Sequence, residues 1–109
     1  MINTYLGRLV YDVKVTTLEN GKKVLNNRLA MKVGKDLTTF IDIVAWEGTA
    51  EFIEKYYKKG FEILLQGELI NKKGLKENVE YDTVAILVDK VIFTYGNPRE
   101  VDVPDFLNG

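Results

Sequence analysis

The sequence predicts an all-β fold, five strands closed into a barrel with one short helix between strands three and four. Three features point there. Apolar residues alternate with period two through most of the chain, turn-forming residues punctuate the alternating stretches, and the period becomes helical once, in the middle.

Residues 2–17 hold Val, Tyr, Leu and Thr without a helical stripe and read as strand one. Asn20-Gly21 follows, a strong hairpin signal because both residues tolerate positive φ. Residues 23–33 form strand two, with Leu25, Asn27, Leu29, Met31 and Val33 on a packed face and Val24, Asn26, Arg28, Ala30 and Lys32 on a wet, basic one. Gly34-Lys35-Asp36 turns the chain into strand three, residues 38–46. Thr49 then reads as a helix N-cap, Glu51 suits the first turn, and Phe52, Ile53, Tyr56 and Tyr57 recur at helical spacing. Lys58 and Lys59 fit the C-terminal end of the helix dipole, and Gly60 the position beyond it. Strand four spans residues 61–70, Asn71-Lys72-Lys73-Gly74 reads as a turn, and strand five spans residues 79–93. Asn97-Pro98 ends regular structure, so residues 1–96 form one domain and residues 97–109 a short acidic tail. A helix between strands three and four singles out the five-stranded Greek-key barrel of the OB type.

Composition narrows the chemistry. The 109 residues are 46% hydrophobic and 28% charged, with no cysteine and no histidine. That double absence removes thiol nucleophiles, imidazole bases and thiolate or imidazole metal sites, so no enzyme activity, cofactor or metal is expected. The N-terminus lacks a signal-peptide pattern and no apolar run is long enough to span a membrane, which suggests a cytoplasmic protein with no membrane partner. The formal net charge of −1 conceals a division: residues 1–76 carry a net +4 and residues 77–109 a net −5.

Strand three carries the functional argument. Ile41, Ile43 and Ala45 share one face, which suits the barrel interior; Phe40, Asp42, Val44 and Trp46 share the other. Two large aromatics facing outward need a cover, and the bases of a single-stranded nucleic acid can supply it. On these residues alone the alternative stands, that Phe40 and Trp46 are core or subunit-interface side chains. Arg28 and Lys32 on strand two, Lys35 in the next turn, and Lys72, Lys73 and Lys76 between strands four and five are candidate phosphate contacts. In an OB barrel these elements bind oligonucleotides, although for each lysine taken singly a solvated surface position is the more ordinary explanation.

The run Thr39-Phe40-Ile41-Asp42-Ile43-Val44-Ala45-Trp46, then Ala50-Glu51, Lys55-Tyr56-Tyr57-Lys58-Lys59-Gly60 and Gln66-Gly67-Glu68-Leu69, is similar to the bacterial single-stranded DNA-binding proteins. Gly7-Arg8-Leu9, Asn20-Gly21, Leu29-Ala30 and Tyr81-Asp82-Thr83 add to the likeness, which covers about residues 2–95 in order. The resemblance implies an OB-fold protein without catalytic activity that wraps and protects single-stranded DNA in replication, recombination or repair. It implies a homotetramer, with a dimer as the alternative assembly, whose subunits pair through the N-terminal strand, here residues 2–6. Two of the family's stacking aromatics fall on Phe40 and Trp46; two others fall near Lys35 and Gly74 and are missing.

The connections after strands two and four are short, which implies a smaller site and weaker binding, and the abbreviated acidic tail points to a phage, plasmid or specialised paralogue. Asp102, Asp105 and Phe106 partly echo the acidic tip by which family members dock replication or repair proteins. The second functional class is an OB-fold protein-interaction module, such as a primosome-like accessory component, with its aromatic face turned to a protein.

Overall fold

The computed structural model describes residues 1–92. Its elements are β1 (Asn3–Leu9), β2 (Val15–Thr17), β3 (Lys23–Lys32), β4 (Thr38–Trp46), α1 (Glu47–Tyr56), β5 (Glu62–Lys76) and β6 (Val79–Ile92). The strands hydrogen-bond in the order β1-β5-β6-β4-β3-β2, and β1 also pairs with β3, which closes the barrel. All pairings are antiparallel except β4 with β6, where Ile43 lies beside Ile86. Counting β1 and β2 as one interrupted strand gives the five-stranded OB barrel with its helix between strands three and four.

The interruption corrects the expectation of one strand over residues 2–17. Arg8 pairs with Ala30 and Leu9 with Leu29, but pairing with β3 resumes only at Val15 opposite Leu25. Residues 10–14 bow outward, and Asn27, only 4% exposed, makes the bonds the ladder loses. Its Oδ1 accepts from the Tyr11 and Arg28 backbone N–H groups at 3.1 and 2.7 Å, and its Nδ2 donates to the Tyr11 carbonyl at 3.1 Å. A buried amide is tolerated because these bonds satisfy it.

Two further boundaries differ. The helix begins at Glu47, with Trp46 in the cap position and no side-chain cap, whereas Thr49 was expected there. Glu47 takes a left-handed φ of 51°, which turns the chain from β4 into the helix without a linker, and its carboxylate accepts the Lys23 N–H at 2.8 Å. The helix ends at Tyr56, so Lys55 occupies the last turn and Lys58 and Lys59 lie beyond it.

The expected turn at residues 71–74 is also absent. β5 runs on to Lys76, and the hairpin turns at Glu77 and Asn78, whose φ angles of 53° and 65° suit a tight primed turn. The register shift between Gln66 and Gly67 marks a bulge, which helps two long strands bend around the barrel.

Leu9, Leu25, Leu29, Ile43, Ile63, Leu65 and Ile86 fill the interior, and α1 contributes Ala50 and Ile53 to the same core. Of these, Leu25, Leu29 and Ile43 are inward positions that alternation assigned to strands two and three. Among the described residues no helix is long and apolar enough to cross a membrane.

Candidate nucleic-acid interface

The outward face of β3 and β4 is a grid fixed by pairing. Val24 lies opposite Trp46, Asn26 opposite Val44, Arg28 opposite Asp42, Ala30 opposite Phe40 and Lys32 opposite Thr38. Paired residues project to the same side of a sheet, so Phe40, Asp42, Trp46, Arg28 and Lys32 share one surface. Phe40 is 56% exposed and Trp46 38%, so neither is a core residue of the chain itself. Val44 was expected outside with them but is 7% exposed, forming a small apolar cluster with Val24, Ala85 and Ile70 on this side of the sheet. The face therefore has a packed apolar floor between its aromatics.

Asp42 is held from two sides. Its Oδ1 accepts from Arg28 Nε at 3.0 Å, and its Oδ2 lies 3.8 Å from Lys72 Nζ. The hydrogen bond to Asp42, and then that carboxylate's charge, holds the Arg28 guanidinium above its ordinary pKa. Lys72 reaches Asp42 because Asp42 aligns with Ala85 on β6, and β6 pairs with β5 through Thr83 and Lys72.

The late turn re-sorts the other cations. Lys72 and Lys76 fall on the parity that faces Asp42, while Lys73 falls on the opposite parity and is not brought to this surface. Lys35 lies in the connection between β3 and β4, where the Val33 N–H donates to the Leu37 carbonyl at 3.0 Å. Asp102, Asp105 and Phe106 lie outside the described residues.

Two side chains on this face were not singled out as ligand contacts by sequence reasoning. Tyr81 pairs with Gly74 on the same parity as Lys72 and is 48% exposed. A Cβ at Gly74 would run into the Tyr81 ring, so the ring lies across the glycine. A two-residue turn at Glu77-Asn78 implies that pairing, and placing the turn there would have found it. Arg8 is the second; it lies beside Ala30, on the strand beyond it and two strands from Phe40.

Residues 3–94 match the single-strand binding protein family. Among curated proteins, the single-stranded DNA-binding protein of Fusobacterium nucleatum subsp. nucleatum is 31% identical over 97 residues, covering 80% of this chain and 62% of that one. The single-stranded DNA-binding protein of Malacoplasma penetrans is 29% identical over 91 residues, covering 79% and 47%. The chain thus spans between about half and three fifths of the length of these relatives.

Proposed function

The chain belongs to the single-strand binding protein family, and we propose that it binds single-stranded DNA, with little dependence on sequence and without turnover, on the outer face of β3 and β4. The observation that carries this reading is the exposure of Phe40 and Trp46 on one face, with cations beside them. Each base stacked on an aromatic is worth about 1–3 kcal/mol whichever base it is. Arg28, Lys32, Lys35, Lys72 and Lys76 supply phosphate contacts around the pair, and Lys73, on the far parity, does not.

Protection of single strands in replication, recombination or repair, in the cytoplasm, is the role that goes with such binding. Assembly fits the same reading. β1 pairs with β5 from Asn3 to Arg8, but with β3 only at Arg8 and Leu9. Among the described residues, the other edge of β1 up to Gly7 is therefore open, and Ile2 and Leu6 beside it are exposed. That edge is available to pair with its counterpart in a homotetramer. Residues 97–109, with Asp102, Asp105 and Phe106, serve as the tail that docks protein partners.

Trp46 is the sole tryptophan, so its fluorescence reports the face directly. Titration with a dT oligomer should quench it, with an affinity that falls as salt rises. A titration that produced neither quenching nor a salt-dependent shift would sink the reading. Light scattering with and without a long oligonucleotide tests the assembly.

A further inference from the structure

A cleft of about 520 Å³ opens beside the Phe40 surface, where β1 meets β3, with Leu6, Arg8, Ala30, Lys32, Thr38 and Glu62 among its walls. We infer that this cleft is a backbone-phosphate subsite, in which Arg8 and Lys32 hold a phosphate flanking the nucleotide stacked on Phe40. The inference rests on the reading that Phe40 stacks a base, and extends the strand's path from β4 across β3 onto β1.

The placement follows from two registers. Arg8 pairs with Ala30, and Ala30 pairs with Phe40, so the three stand in a row across adjacent strands with side chains on one side. Neighbouring strands lie about 4.8 Å apart, which puts the Arg8 backbone roughly 10 Å from that of Phe40. The side chain between them is only a methyl group, so a base on Phe40 and its sugar could lie over Ala30 with a phosphate toward Arg8. Lys32, two residues along β3 from Ala30, approaches the same opening beside Thr38.

Arg8 is also preorganised. Its Nη1 donates to the Gly60 carbonyl at 3.1 Å, which anchors the guanidinium with one of its five N–H donors and leaves others to aim at an anion. β1 can sit this close to β3 because Gly7 has no side chain; a Cβ there would come within 2.6 Å of the Ala30 carbonyl oxygen. Glu62, opposite Arg8 on β5, also lines the cleft, so a phosphate enters against one carboxylate and toward two cations.

Binding of a dT oligomer of about 16 nucleotides, followed by Trp46 fluorescence across a range of sodium chloride, tests this. For single strands the slope of log K against log salt is about −0.7 per phosphate neutralised. Arg8→Gln should make the slope shallower by about 0.7, and Arg8→Gln with Lys32→Gln by about 1.4, with full quenching at saturation. Glu62→Gln should tighten binding. Lys55→Gln, removing a charge from the helix, should match the parent.

An Arg8→Gln slope equal to that of Lys55→Gln, in a protein with an unchanged melting transition, overturns the subsite. If loss of the Gly60 contact unfolds the Arg8 variant, Glu62→Gln decides, since Glu62 lines the cleft and has no part in the β3–β4 face: unchanged affinity in that variant overturns the subsite. An Arg8 variant without effect, beside a Phe40→Ala variant that binds weakly, overturns this inference alone. A parent protein that binds no dT overturns the stacking reading and the subsite together.

Discussion

Asp42 lies directly across the β3–β4 ladder from Arg28 and accepts its Nε–H at 3.0 Å, in the middle of the face flanked by Phe40 and Trp46. Lys72 approaches the other carboxylate oxygen at 3.8 Å. The chain thus places a negative charge where a negatively charged ligand is proposed to lie, and occupies two of its own cations with it. Asp42→Asn should relieve Arg28 and Lys72 of the carboxylate that competes with phosphate for them, strengthening the contacts they make to phosphate. Single-stranded DNA should bind several-fold more tightly, and the salt slope should steepen by about 0.7, because one more phosphate charge is neutralised. Fluorescence titration at several salt concentrations reads both effects.

Removing the aromatics separates binding from folding. Phe40→Ala and Trp46→Ala delete exposed rings, so each should weaken binding by about 1–3 kcal/mol with little change in the urea midpoint. Leu29→Ala makes the contrast, because Leu29 is fully buried and its loss should cost about 2–5 kcal/mol of stability. For Trp46→Ala, fluorescence must be replaced by anisotropy of a labelled oligonucleotide.

Gly74 and Tyr81 should behave as one unit. Adding a methyl at Gly74 displaces the ring lying across it, and the atoms in the way are at the mobile end of Tyr81, so the strand itself is spared. Gly74→Ala should therefore fold normally and alter DNA binding as Tyr81→Ala does, with the double variant no worse than either single one. A double-mutant cycle measures that coupling. Gly7→Ala should differ, since its added methyl meets backbone carbonyl oxygen and the barrel seam must open; a lowered melting temperature reports it.

The buried amide of Asn27 tests how the barrel's interrupted strand is held. Asn27→Leu removes the partners of the Tyr11 N–H and carbonyl, and each group left without one costs about 1–3 kcal/mol. Chemical denaturation should show the loss. Asn27→Asp keeps the acceptor but loses the donor and sets a carboxylate against the Tyr11 carbonyl in a buried site, so it should also lower stability.

The barrel was legible because its interior obeys simple alternation: Leu25, Leu29, Ile43 and Ala45 are buried where a period of two puts them. Phe40 and Trp46 were legible for the same reason, their parity being opposite to Ile43. Lys73 was misplaced because turn composition at Asn71-Lys72-Lys73-Gly74 resembles a loop, while the turn that forms uses left-handed φ at Glu77 and Asn78, an angle Asn accepts and Glu rarely takes. A displaced turn changes the pairing partner of every later residue, which is why Tyr81 stayed hidden until the register was known. Thr49 failed as a cap for a similar reason: Glu47 turns left-handed and starts the helix three residues earlier, with Trp46 at the cap. Asn27 was correctly assigned inward, but bonds spanning a bowed segment depend on tertiary closure and leave no local pattern.

The parallel pairing of β4 with β6 has a consequence in time. The β3–β4 hairpin carries Phe40 and Trp46 and can form locally, yet Asp42, Ile43 and Val44 gain their second neighbours only when residues 85–87 arrive, after the helix and all of β5. Contacts so distant in sequence form slowly. During synthesis, an emerging chain would display its aromatics well before it could offer the completed groove, leaving an interval in which they are open to mispairing or chaperone capture.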